Sequence, residues 1–154
     1  MNSLVDALYL TKYNPFKYGE FLSSFYSELI GVDENILLSQ LVIPLCSHHL
    51  FNGKIERARL GGIGGSTIWT IFSDKAMLYD MQERLDNFRG LTDQSLQYCL
   101  VNDWLNIDPK SLNVSFNKST NKKFINQKCA SNLGRIFSNL SVTEIYAMLG
   151  VKPR

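Results

Sequence analysis

Four of the ten glycines fall within five residues of the stretch RLGGIGGSTIWTIF, residues 59–72. Ser66 and Thr67 follow them, which is the make-up of a loop whose backbone amides cradle phosphate. A P-loop also places a lysine directly before its Ser or Thr to neutralise the phosphate charge, and Gly65 stands there instead. The dinucleotide fingerprint GxGxxG fails as well: Gly62-Ile63-Gly64 is followed by Thr67 where the third glycine belongs, and no buried strand leads in. The stretch therefore reads as a connection. Either Ser66 or Thr67 caps a short helix through Phe72, or the Thr, Ile and Trp residues make 67–72 a strand.

Cys46-Ser47-His48-His49 invites a metal reading. Zinc needs three or four ligands in paired spacings, yet Cys99 and Cys129 stand alone and the chain holds no further histidine. Histidines at a helix end, meeting its dipole, are the simpler account. No GxSxG elbow and no paired-carboxylate motif is present. The sequence thus offers no catalytic residue, no cofactor site and no metal site, and an enzyme is not expected. Three cysteines are an odd number in apolar surroundings, which suits free buried thiols in a reducing, cytoplasmic setting better than a disulfide framework.

Charge is more informative. The net charge is only +2, but residues 1–50 hold two lysines against five carboxylates, whereas residues 109–140 hold six cations and no carboxylate. Lys54, Arg57 and Arg59 precede the glycines, and Lys118, Lys122, Lys123 and Lys128 cluster further on. Such residues suit phosphates of a DNA duplex, an acidic protein partner, or plain solvation. Aromatic platforms for single strands are not interleaved with them in sequence. Trp69, beside the glycines, is a candidate partner contact.

These residues must be held by helices. Residues 16–30 place Phe21, Leu22, Phe25 and Leu29 on one stripe, with Asn14 as N-cap, Pro15 in the first turn and Gly31 as the stop. After Asp33 comes a helix apolar on most sides, fit for the centre of a fold, which Pro44 should kink or break. Met77, Leu78, Met81, Leu85 and Phe88 mark another helix, capped near Asp74 and ended at Gly90; Thr92 opens the next, carrying Leu96, Cys99, Leu100 and Trp104. Residues 104–116 alternate on either side of Asp108-Pro109-Lys110-Ser111, a hairpin signal. Two helices and a hairpin are the order of a winged-helix module. A last pair is expected at 121–139 and 142–149, with Ser141 and Glu144 forming a capping box and Gly150 and Pro153 ending it.

At 154 residues with 45 % hydrophobic composition, the chain is long and apolar enough for one core. No apolar run spans a membrane, and the early Asp6 makes the N-terminus a poor signal peptide. The expected fold is mainly α: a single compact helical domain with a small β-hairpin, winged-helix-like. It divides into an N-terminal helical pair (1–52), a Gly-rich connection (53–73), helices plus hairpin (74–116) and C-terminal helices (117–154).

The C-terminal run CASNLGRIFSNLSVTEIYAMLGVKPR resembles the end of the small middle component of three-component ABC ATPase systems. That family closes on Ala-x-x-Leu-Gly-x-x-Phe, a short Thr-x-Ile helix and Leu-Gly-Val-(Arg/Lys)-Pro. The matching positions are Ala130, Leu133, Gly134, Phe137, Thr143, Ile145, Leu149, Gly150, Val151, Lys152 and Pro153. Tyr13-Asn14-Pro15-Phe16 and the Leu-x-x-Pro-Leu-x-x-His pattern over 41–48 agree with it. Arg59, Ser66, Thr67 and Trp69 fit its middle loosely, and the glycine cluster departs from it. The resemblance implies a non-enzymatic adaptor beside an SMC/Rad50-like ABC ATPase subunit and an effector subunit, often a nuclease, as in Lamassu-type defence against phage and plasmids. Double-stranded DNA would be met through the complex, and no membrane is involved. The alternative reading is a free-standing winged-helix DNA-binding regulator.

Overall fold

The computed structural model describes residues 3–61, 63–120 and 123–154. It is mainly helical with one two-stranded antiparallel sheet, built around a single core.

Helix α2 (Pro15–Glu28) is the central element. Asn14 Oδ1 accepts from the Lys17 amide at 2.8 Å, and Pro15 takes the first helical position, where its missing N–H is no loss. Tyr18, Phe21, Leu22, Phe25 and Tyr26 form its buried stripe. The helix stops at Leu29, whose backbone is extended, two residues before Gly31. Gly31 has φ +70° and instead lets the chain turn tightly against the Asn139 side chain.

The segment after Asp33 is a 3₁₀ turn (Asn35–Leu38) leading into α3 (Ser39–Cys46). Pro44 sits inside α3 without breaking it. The helix is only eight residues long, and Arg84 satisfies its end: Nε and Nη2 donate to the Pro44 carbonyl at 3.3 and 3.1 Å, and Nη2 also to Ser47 Oγ. Short α4 (Phe51–Glu56) follows, its last carbonyls accepting from Asn132 Nδ2.

Helix α5 (Ile68–Ile71) resolves the choice left open for 67–72. Thr67 and Thr70 form a reciprocal capping box, so the segment is helical despite its strand-favouring residues. Asp74 then caps a 3₁₀ turn (Lys75–Leu78).

The largest departure from expectation is α6 (Met81–Val101), one unbroken 21-residue helix where two were expected around Gly90. Met81, Leu85, Phe88, Thr92, Ser95 and Cys99 form one buried stripe that keeps its phase across the glycine. A Gly inside a helix costs about 1 kcal/mol, less than the packing of such a stripe returns. The order before the hairpin is therefore one helix, not the helix–helix pair on which the winged-helix comparison rested.

Strands β1 (Leu105–Asp108) and β2 (Asn113–Phe116) pair with Leu105 opposite Phe116 and Ile107 opposite Val114. Asp108 closes the turn, accepting from the Lys110 amide and the Ser111 hydroxyl. Helix α7 begins at Lys128, later than the expected 121–139, and runs to Phe137. Residues 123–127 form no helix because α2 holds them: the Ile125 amide donates to Glu20 Oε2 and the Gln127 amide to Ser24 Oγ. Helix α8 (Val142–Leu149) carries the Ser141–Glu144 capping box and ends at Gly150, φ +69°.

Two glycines set the helix spacing. A Cβ on Gly134 of α7 would run into the Phe25 carbonyl of α2, so the two backbones touch there. A Cβ on Gly19 would meet Tyr98 of α6, and Cys99 Sγ donates to the Gly19 carbonyl at 3.0 Å.

The sequence also failed to announce α1 (Leu4–Lys12). Ser3 and Asp6 form a capping box at its start, and Tyr13 beyond its end packs on Tyr18 and Phe88. Not one of its residues is buried.

Candidate interaction surfaces

The glycine stretch is a loop closed at its base. The Arg59 amide donates to Ser66 Oγ at 3.0 Å, and the Ser66 amide donates back to the Arg59 carbonyl. Gly61 and Gly64 adopt φ +89° and +78°, which suits the turn-back only glycine makes freely. Ile63 between them is fully exposed, and Gly62 lies outside the described residues. From this base the Thr67 capping box launches α5, which turns Ile68 and Ile71 into the core and leaves Trp69 57 % exposed.

Beside the loop lies a cavity of about 510 Å³, bounded by Leu60, Ser66, Ile68 and Trp69 on one side and Arg135 and Ile136 of α7 on the other. Its walls are mixed: Leu60, Ile68, Ile136 and the Trp69 indole are apolar, and Ser66, Thr67, Ser138 and Arg135 are polar. Arg135 is engaged already, Nε donating to Glu28 Oε2 at 3.1 Å. Lys54 donates to the Ile71 carbonyl at 3.4 Å, at the end of α5. Arg57 and Arg59 are exposed, and their guanidinium groups have no partner among the described residues.

The remaining candidate cations sit elsewhere. Lys118 follows β2, Lys128 opens α7, both exposed, and Lys122 lies outside the described residues. Lys123 borders a second cavity, of about 590 Å³, with Lys17, Glu20, Phe16 and Trp104. Lys128 and Arg135 are separated by roughly 10 Å along α7. The structure therefore divides the basic residues between the two ends of this helix.

Around the second cavity the fold assembles a run of rings that are far apart in sequence. Phe16 meets Tyr98 at 5.0 Å, Tyr98 meets Trp104 at 5.4 Å, and Phe124 lies against both Trp104 and Phe116. Their only sequence signal is the number of aromatics; the contacts join α2, α6, the hairpin and the 123–127 segment.

A third surface is α1 itself. Leu4, Val5, Leu8, Tyr9 and Leu10 are all more than half exposed. A helix apolar on most sides ordinarily belongs inside a structure. The Ser3-x-x-Asp6 pattern was the available signal for it.

The histidines and thiols have structural surroundings. His48 is buried; its Nδ1 accepts from the Leu50 amide at 3.1 Å, which leaves the proton on Nε2, 3.5 Å from Asp80 Oδ1. Burial, with nearby Arg84, lowers its pKa below the ordinary value despite Asp80, so the ring is neutral and not the charged partner of a helix dipole. Cys46, Cys99 and Cys129 are free and buried. Burial and the neighbouring Cys129 thiol push Cys46 upward, and burial pushes Cys99 to about 11. Thiols so held are poor nucleophiles. Among the described residues no cluster of three or more His, Cys, Asp or Glu gathers, and no helix is long and apolar enough to cross a membrane.

What the chain displays is a set of surfaces: a clamped loop beside a cavity that Trp69 lines, a basic and aromatic rim, and an uncovered helix. The model of the ABC-three component (ABC-3C) system Middle Component 3 family matches residues 2–153, and the chain belongs to that family. No curated protein and no solved structure matches it. The terminal motif that carried the resemblance is a packing motif: Ala130, Leu133, Gly134, Phe137, Ile145, Leu149 and Val151 are all buried.

Proposed function

We propose that this middle component is a non-enzymatic adaptor that joins an SMC-like ABC ATPase to an effector subunit, a nuclease, in a cytoplasmic Lamassu-type defence complex. The observation that carries this reading is α1. Its capping box makes it a formed helix, and its five large apolar residues stay more than half exposed, with Tyr9 resting on Tyr13 at 4.8 Å and none of them buried in the core. Leaving such side chains in water forgoes about 1.5–3 kcal/mol for each that could be fully buried, which a partner surface recovers.

The test is co-expression of the tagged chain with the ATPase and effector of its own system. The three should co-purify at low salt, and Leu4→Glu with Leu8→Glu should release one of the two partners while the remaining chain melts as before. A chain that comes away alone refutes the adaptor reading.

The rival reading, a free-standing DNA-binding regulator, is favoured by the exposed Lys118, Lys123 and Lys128 beside the hairpin. It requires the isolated chain to retard duplex DNA with affinity falling steeply as salt rises, and glutamate at Lys118, Lys122 and Lys123 to abolish the shift.

A further inference from the structure

The cavity beside the glycine loop has a chemistry that selects its occupant. Leu60, Ile68 and Ile136 make an aliphatic floor, and Trp69 stands over it from a helix only four residues long. These groups are held before any partner arrives. The Thr67–Thr70 box fixes the rotation of α5, and the Arg59–Ser66 pair fixes the base of the loop. An exposed tryptophan in a preorganised recess of mixed polarity, with Arg135 in its wall, has the make-up of an interface hot spot.

The chain segment that carries the loop is one-sided in charge. Between residues 51 and 73, Lys54, Arg57 and Arg59 face a single carboxylate, Glu56. Lys54 is turned to the Ile71 carbonyl, so Arg57 and Arg59 remain available. Glu28 is bound to Arg135 and offsets its charge, so the unpaired cations of this face are Arg57 and Arg59. Two free cations are few for a duplex backbone, and Trp69, Leu60, Ile68 and Ile136 offer an apolar surface that a phosphate chain would leave unused. A peptide can present both an apolar side chain and carboxylates within a few residues.

We propose that this cavity is the docking site for an acidic protein segment of another component of the system. An apolar anchor of that segment enters between Trp69 and Ile136, its carboxylates meet Arg57 and Arg59, and Ile63 at the loop tip packs on the incoming chain. The proposal rests on the adaptor reading and names one surface through which it operates. This surface shares no lining residue with α1.

The probes are peptides tiling the ATPase and the effector of the same system, with a DNA duplex alongside. Trp69 is the reporter, since Trp104 is only 5 % exposed and contributes a constant background. An acidic peptide with a leucine or aromatic anchor should shift the Trp69 emission to the blue. Binding should weaken at least about thirtyfold in Trp69→Ala, persist in Trp69→Phe, and weaken in Arg57→Glu/Arg59→Glu with a shallower salt dependence. Trp69, Arg57 and Arg59 are exposed, so an unchanged melting temperature separates lost docking from lost folding.

The proposal is overturned if the binding peptides are basic, or if duplex DNA is the probe that Arg57 and Arg59 govern. It is equally overturned if the three-component complex assembles with Trp69→Ala as tightly as with the native chain; the adaptor reading then stands and the docking site falls. If the native chain assembles with neither component, the adaptor reading fails first and takes this site with it.

Discussion

Gly134 and Gly90 both lie in helices, and alanine at each should act with opposite sign. Replacing an exposed helical glycine by alanine gains up to about 1 kcal/mol from intrinsic propensity. Gly90 is such a position: it is exposed, and nothing lies within 4 Å of an added Cβ. At Gly134 the same methyl enters the contact between α7 and α2. It would sit closer to the Phe25 carbonyl than the 3.0 Å that real Cβ atoms respect, and 3.3 Å from the Leu29 amide. Those two groups are bonded to each other, Leu29 N donating to Phe25 O at 3.1 Å, so the methyl also disturbs the end of α2. Overpacking of this kind costs about 1–3 kcal/mol, and a backbone neighbour cannot step aside as a flexible side chain would. Gly134→Ala should therefore destabilise by about 2 kcal/mol after the propensity gain, and Gly90→Ala should stabilise by about 0.5–1 kcal/mol. For a chain of this length the melting temperature should fall by about 4–8 °C in the first and rise by about 1–4 °C in the second. Thermal unfolding followed by circular dichroism decides it. A Gly134→Ala chain that melts with the native protein refutes the close crossing, and a Gly90→Ala chain that melts lower refutes the continuous α6.

Two further outcomes follow from the buried titratable groups. His48 has a folded pKa below its unfolded value, so the unfolded chain takes up the proton first; stability is complete above about pH 6.5 and declines as pH falls below it, until the folded pKa is reached. Denaturant midpoints measured from pH 8 to 5 should show that decline, and His48→Gln should flatten it. The thiols of Cys46, Cys99 and Cys129 should resist a disulfide reagent at pH 8 in the native chain and react together once it is unfolded; fast reaction of any one in the native state would contradict its burial.

Features set by local chemistry were legible in the sequence. Asn14 with Pro15, Thr67, and Ser141 with Glu144 all act on amides within three residues and start the helices their residue types mark, whereas Asp74 caps only a 3₁₀ turn and the helix expected from it begins later, at Met81. Gly90 misled because a glycine stop is also a local signal, whereas the stripe from Met81 to Cys99 is satisfied only by distant packing. Residues 123–127 misled for the same reason: Glu20 and Ser24 of α2 hold them out of the helix. At the candidate surfaces, Trp69 and the arginines were visible as types, while the cavity required α7 to arrive beside the loop. The ring series from Phe16 to Phe116 draws on four separate segments and had no local pattern to read.

The touching backbones of α2 and α7 also bear on how the chain is made. Ser138 reaches back to the Glu28 carbonyl across 110 positions, and Gly134 must slot against Phe25 over a similar span. On a ribosome adding about 5–20 residues each second, α2 emerges and then waits on the order of 5–20 s for the helix that seals it. Phe21, Leu22 and Phe25 spend that interval partly uncovered. Completion of the core is thus tied to synthesis of α7, and a product ended before Lys128 keeps an aromatic face open to chaperones and proteases. Quality control is written into the order of the helices: a chain with the α7–α2 seam closed is one synthesised past Phe137.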